Sequence, residues 1–192
     1  MELVFATANQ NKVLEVQKLV GQKFKLLSLE DINCTDEIPE TADTFKGNAL
    51  QKAKFIYDKY NLNCFADDSG LEVEVLKGAP GVYSARFAGE PKNDSNNTKK
   101  LLNELQGKTN RKACFKTAIA LIIDGKEEFF EGKIEGQITQ DPIGNDGFGY
   151  DPVFMPDGYQ KTFAQMSLDE KNVISHRAIA IQKLVRFLAA KA

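Results

Sequence analysis

Leu3-Val4-Phe5-Ala6 puts four apolar residues in a row near the start of the chain. A short run without alternation predicts a strand covered on both faces. Thr7-Ala8-Asn9-Gln10 interrupts it, and Val13, Val16, Leu19 and Val20 then recur at helical spacing. The chain therefore opens as strand, polar loop, helix. Leu26 to Leu29 predicts a second strand, followed by a polar, acidic stretch from Glu30 to Asp43. Phe45, Leu50, Ala53 and Ile56 or Tyr57 predict a helix from about Thr44 to Tyr60. Cys64 to Ala66 reads as a strand that ends at Asp67-Asp68-Ser69-Gly70. After it, Leu71, Val73 and Val75 alternate with Glu72 and Glu74, the pattern of a half-buried strand.

Gly78-Ala79-Pro80-Gly81 is a turn cluster. A polar helix is predicted from about Ser95 to Leu105, closed by Gly107. Residues 113–123 and 127–138 flank Asp124-Gly125, a strong hairpin signal. Gly132 and Gly136 hint at bulges in the second strand. Ser167-Leu168-Asp169-Glu170 fits a capping box. Ile181, Leu184, Val185 and Leu188 mark the inner face of a last helix that starts near His176. Crossover and hairpin connections together predict an α/β fold, a mixed sheet flanked by helices.

Composition narrows the function. With 192 residues, the expectation is one domain or a tight pair of lobes. Lys plus Arg is 25 against 27 Asp plus Glu, a net charge of -2, which argues against a dedicated nucleic-acid binder. The single His excludes any multi-His metal site and restricts a Ser-His-Asp triad to one imidazole. Three widely spaced Cys residues, at 34, 64 and 114, do not form a zinc cluster and read as reduced thiols. The chain starts without a basic leader, and its longest apolar run, Ala118 to Ile123, is far short of the roughly 20 residues that span a bilayer. The expectation is a soluble, cytoplasmic protein.

The familiar phosphate and nucleophile motifs, GxGxxG, Walker loop, HExxH, CxxC and GxSxG, are all missing. Thr7 to Lys12 remains: a polar loop between a strand and a helix aims backbone N–H groups at one spot, and Lys12 adds a full charge. The competing reading is an ordinary helix cap with a solvated lysine. Asp67-Asp68 places two carboxylates side by side, which is costly unless a cation is shared. Mg²⁺ bridging to phosphates suits that arrangement, or one carboxylate activates water. Phe148-Gly149-Tyr150-Asp151 sets two aromatics and an acid in a glycine-rich loop, suited either to stacking on a base or to a structural turn. His176-Arg177 opens a helix, where cations oppose the macrodipole; a locally unfavourable choice hints at function.

Together these blocks resemble the inosine/xanthosine triphosphate pyrophosphatase family. The resemblance runs from Thr7-Ala8-Asn9 and Lys12 through Glu40, Thr44-Phe45, Asn48-Ala49 and Lys52-Ala53. It continues in Ala66 to Leu71, Gly78 to Arg86, Gly147 to Pro152, Glu170-Lys171-Asn172 and Ile174 to Arg177. It implies a single domain over residues 1–192, with a long twisted mixed sheet and two lobes around a central cleft. It implies a homodimer and Mg²⁺-dependent hydrolysis of ITP, dITP or XTP to the monophosphate and pyrophosphate. By resemblance Thr7, Ala8, Asn9, Gln10, Asn11 and Lys12 hold the triphosphate and Ser69 touches substrate. Glu40 and Asp68 bind the metal, with Asp68, Asp67 and Lys52 as the catalytic groups. Phe148 stacks on the base, with Gly149, Tyr150 and Asp151 beside it. Lys171, His176 and Arg177 are donors that favour a 6-oxo purine over adenine.

Two positions depart from the family pattern. Ala8 stands where Gly or Ser is common, and would be strained if that position needed a positive φ. Gln165 stands where Glu is frequent. The alternative with the same chemistry is a Maf-type nucleotide pyrophosphatase, against which Ser175-His176-Arg177 discriminates. A non-catalytic nucleotide sensor would not need Glu40, Lys52 and Asp68 together. A single-strand nucleic-acid module would need an aromatic-basic stripe that is not there.

Overall fold

The computed structural model describes residues Met1 to Lys191. Six strands form one sheet in the order β2-β1-β3-β4-β5-β6. They are β1 (Glu2–Phe5), β2 (Lys25–Leu27), β3 (Cys64–Val73), β4 (Lys112–Ile123), β5 (Lys126–Ile138) and β6 (Phe154–Pro156). β1 pairs in parallel with β2 and with β3, whereas β5 and β6 are antiparallel, so the sheet is mixed as expected. The helices are α1 (Gln10–Val20), α2 (Phe45–Tyr60), α3 (Asp94–Glu104), α4 (Leu168–Ile174) and α5 (His176–Ala189).

The chain divides into two compact units. The first holds Met1–Asp68, Thr117–Gly132 and the segment from Arg177 onward; the second holds Ser69–Lys116 and Lys133–His176. In the first unit the period of two along each strand sorts side chains into two cores. Leu3, Phe5, Phe65, Ile119 and Leu121 pack with Val16 and Val20 of α1 and with Ile181, Leu184 and Leu188 of α5. Their neighbours Val4, Ala6, Cys64, Ala66, Ala120 and Ile122 pack with Ala49, Ala53 and Ile56 of α2. This double cover explains why β1 is a continuous apolar run. The Phe5 and Phe65 rings stack at 4.6 Å between centroids, locking adjacent strands. The second unit has its own core around Leu71, Leu101, Phe115, Ile138, Phe154 and Phe163.

One expectation fails in an informative way. The turn predicted at Asp67-Asp68-Ser69-Gly70 does not exist; β3 runs straight through it to Val73. Gly70 has no positive φ, so the backbone stays extended. Consecutive strand residues face opposite ways, so the Asp67 and Asp68 carboxylates are not crowded together. The predicted strand end at Val75 is a single 3₁₀ turn, Glu74–Leu76. The Asp124-Gly125 hairpin turn forms with φ of 49° and 75°, both positive as a type I′ turn requires. A side chain at Gly136 would overlap the Met155 carbonyl of β6, so this glycine serves close strand approach. The Ser167 box is present: Ser167 Oγ accepts from Glu170 N–H, and the Glu170 carboxylate accepts from Ser167 N–H.

Candidate active site

Strand parity organises the first unit's polar centre. Asp67 shares the Phe65 face, where α1 and α5 pack, and is completely buried. Lys12 Nζ of α1 donates to Asp67 Oδ1 at 2.9 Å and Arg177 Nε of α5 donates to Asp67 Oδ2 at 3.1 Å. The Arg177 guanidinium also pairs through Nη1 with Glu15 of α1, itself buried. Burial alone would raise the Asp67 carboxyl, but Lys12, then Arg177 and Lys52, outweigh it and hold the group well below the usual carboxylate range. The same contest leaves Arg177 firmly charged: burial lowers it, and Glu15 and Asp67 more than compensate. Lys12 is lowered, first by burial and then by Lys52 and Arg177, against the pull of Asp67.

Asp68 faces the other way, toward α2. Asn48 Nδ2 donates to its Oδ2 at 2.9 Å. Burial pushes the Asp68 carboxyl up, and the Glu40 charge adds to that, while Lys52, Lys12 and the Asn48 bond oppose it. Lys52, also on α2 and buried, pairs with Glu40. The helix that carries Asn48 and Lys52 starts where predicted, with Thr44 Oγ1 accepting from Gly47 N–H at 3.0 Å.

The Thr7–Lys12 segment is in part the helix cap of the competing reading. Asn9 caps α1, its Oδ1 accepting from Asn11 and Lys12 N–H at 3.0 and 3.3 Å. Thr7 Oγ1 accepts from Asn9 N–H, and Gln10 is the first helical residue. Ala8 has no positive φ, so its methyl is unstrained. Lys12, by contrast with that reading, is not solvated but bonded to Asp67.

The second unit holds the remaining candidates. Asp151 is buried; its Oδ2 accepts from Phe148 N–H at 3.0 Å and from Lys171 Nζ at 2.6 Å. Lys171 Nζ lies 4.8 Å from the Phe148 ring centroid and 5.4 Å from that of Phe163, a cation between two rings. Gly147 has φ 77°, and a side chain there would overlap the Asp151 carboxylate. Tyr150 is buried with its hydroxyl donating to the Ser84 carbonyl at 2.8 Å, and burial pushes its phenol up. It is a core anchor of the loop. His176 stacks on Phe115 at 4.7 Å with planes 9° apart, and is only 4% exposed. Ser69 follows Asp68 on β3, half-buried. Gln165 has a structural part, its Oε1 accepting from Thr162 N–H at 2.9 Å.

The Arg177 guanidinium pairs with Glu15 and Asp67, two buried carboxylates that require a buried cation. Glu15, Asn48 and Phe115 were not foreseen as partners of these groups. Glu15 carried the only hint, lying three residues after Lys12 and beside Val16 on the inner side of α1.

The donors fit Mg²⁺ in one particular way. Glu40 and Asp68 lie close enough for one charge to raise the other's pKa, a repulsion that a divalent cation relieves. Among the described residues no three His, Cys, Asp or Glu gather into a metal cage. Mg²⁺ characteristically takes one or two carboxylates and completes its shell with water and substrate phosphate.

A family model described as the Ham1 family matches residues 3–187. The chain is 57% identical over 187 residues to a dITP/XTP pyrophosphatase of Flavobacterium psychrophilum, covering 97% of this chain and 98% of that protein. It is 46% identical to a dITP/XTP pyrophosphatase of Bacillus subtilis over 98% of both. The structure of the Staphylococcus aureus Ham1 protein matches with a TM-score of 0.91 and 38% identity over 100% of both chains. The fold is thus that of a family, and the chain belongs to the Ham1 family. The Maf-type alternative finds no support among these relatives.

Proposed function

We propose that this protein hydrolyses dITP, ITP and XTP, non-standard purine nucleoside triphosphates, to the monophosphate and pyrophosphate. The relatives' activity carries the reading, together with one observation: two adjacent strand carboxylates held in opposite protonation tendencies. Asp67, pulled down by cations, is a poor base that keeps Lys12 in place. Asp68, pushed up by burial, is the better base, acting through the carboxylate oxygen that does not hold the metal.

Water attacks the α-phosphorus, Asp68 takes its proton, and the bond to the bridging oxygen breaks to release pyrophosphate. Lys12 and Lys52 bring positive charge to the triphosphate, supported by the loop Thr7 to Asn11 and by Ser69. Glu40 and Asp68 would hold Mg²⁺, whose chemistry is to neutralise charge on the transferring group. Arg177 keeps Asp67 fixed.

On the base side, the Phe148 ring stacks on the purine. Lys171 and His176 present donors to a 6-oxo group, and an adenine amino group facing donors is disfavoured. A homodimer and the Mg²⁺ requirement belong to this proposal through the family resemblance, and a cytoplasmic location through the reading of the three cysteines as reduced thiols. Among the described residues no helix is long and apolar enough to cross a membrane.

The decisive experiment is a panel of nucleoside triphosphates with and without Mg²⁺, assayed for pyrophosphate and for orthophosphate. Pyrophosphate from dITP, ITP and XTP, far above dATP, is expected. Orthophosphate as the first product would rule out cleavage at the α-phosphorus.

A further inference from the structure

The loop that carries Phe148 has little stiffness of its own. Gly144, Gly147 and Gly149 all have positive φ, at 91°, 77° and 61°. Phe148 sits between two of them, so the placement of its ring depends on what grips the neighbouring peptides. One grip is internal, Asp151 accepting from Phe148 N–H. The other comes from a separate element. Asp94 Oδ2, in the first turn of α3, accepts from Gly149 N–H at 2.7 Å. Thr98 Oγ1, one turn further along α3 and buried, donates to the Gly149 carbonyl at 3.4 Å. Both polar groups of one glycine are therefore held by the same helix face, at i and i+4.

The helix end that supplies these groups is itself fixed. Asn93 caps α3, its Oδ1 accepting from Asn96 N–H at 2.9 Å. Asn97, buried, accepts from Ala88 N–H at 2.7 Å and donates to the Ala85 carbonyl at 2.9 Å. The Asp94 carboxylate is exposed, and an acid in a first helical turn is ordinary for the macrodipole alone. That role needs no contact with Gly149. A short, charge-assisted bond to a glycine peptide next to the stacking ring is a further property.

We propose that Asp94, seconded by Thr98, is a positioning residue for base recognition: it sets where Phe148 lies and so tunes affinity for the purine without touching it. This rests on the reading of Phe148 as the base platform. Losing the bond leaves the triphosphate end untouched, so the effect falls on KM for nucleotides.

The test uses Asp94→Ala, Asp94→Asn, Phe148→Ala and the double variant Asp94→Ala/Phe148→Ala, with dITP as substrate and inorganic tripolyphosphate as competitive inhibitor. Asp94→Ala is expected to raise KM for dITP about three- to tenfold, with kcat changed less than about twofold. Asp94→Asn keeps an acceptor and restores most of the loss. The inhibition constant of tripolyphosphate stays put, and Asp94→Ala adds nothing once Phe148 is removed. An unchanged KM in Asp94→Ala beside a raised KM in Phe148→Ala overturns the inference and leaves the base platform intact. An unchanged KM in Phe148→Ala overturns the platform reading, and this inference with it. A tripolyphosphate constant that weakens in step with KM shows a general structural effect and also overturns it.

Discussion

Arg177→Met removes the guanidinium and keeps most of the side chain's length. In the protein Arg177 is 2% exposed, and its guanidinium holds Glu15, 4% exposed, and Asp67, fully buried. Removing one partner of a buried ion pair costs roughly 3–5 kcal/mol, because the remaining charge has lost its compensation. Asp67 keeps Lys12 at 2.9 Å, which places the loss at the lower end, about 3 kcal/mol. At roughly 2–4 °C per kcal/mol for a chain of this size, the melting temperature should fall by about 6–12 °C. Glu15→Gln/Arg177→Met, which removes the uncompensated charge as well, should recover about 1–2 kcal/mol of that loss. Arg177→Lys should not restore wild-type stability, since one ammonium does not reproduce the fork that reaches both carboxylates. Differential scanning calorimetry of the wild type, these three variants and Glu15→Gln alone at neutral pH measures these steps. A drop under about 2 °C for Arg177→Met, or strictly additive effects in the double variant, would refute the claim that this pair holds the centre together.

Asp68→Asn should lower kcat for dITP by about 10²–10⁴ while nucleotide still binds by calorimetry; an unaltered kcat would remove Asp68 from the proton step. Lys171→Met should narrow the dITP-over-dATP ratio of kcat/KM by about tenfold; an unchanged ratio would show that this ammonium does not read the base. Cys64 is fully buried, its thiol donates to the Ala53 carbonyl at 3.2 Å, and burial pushes its pKa up to about 12. At pH 8 an aromatic disulfide reagent should therefore leave Cys64 unmodified in the native protein, and rapid labelling of its peptide by mass spectrometry would contradict that. The folded state keeps this proton longer than the unfolded chain, so the associated stability is full below about pH 9 and declines as pH rises toward 12. Cys64→Ala should flatten that alkaline decline in thermal melts, and an unchanged slope would refute the assignment.

Elements whose cause is local were readable from sequence. The β4–β5 hairpin turns on Asp124-Gly125, and the start of α4 is set by Ser167 and Glu170. β1 and α1 follow from an apolar run and a helical period. The misreading at Asp67-Asp68-Ser69-Gly70 has a non-local cause. Two aspartates and a glycine look like a turn, and only cations arriving from 55 and 110 residues away make a buried strand aspartate tolerable. The same distance hid Glu15, because an acidic residue on a helix reads as solvated until its partner across the fold is known. Asp94 was illegible for the opposite reason: its position suits a helix start so well that nothing locally asks for another partner.

The opposed orientation of Asp67 and Asp68 makes chain length in β3 a functional quantity. A single residue inserted or deleted between Cys64 and Asp67 would turn every later side chain of the strand to the other face. The carboxylate now gripped by Lys12 and Arg177 would be delivered to Asn48 and Lys52, and its neighbour to the cations. Composition, charge and even the motif would survive such a change, but the base and the structural anion would have exchanged environments. Substitutions in this stretch can be graded; insertions and deletions there should be all-or-none.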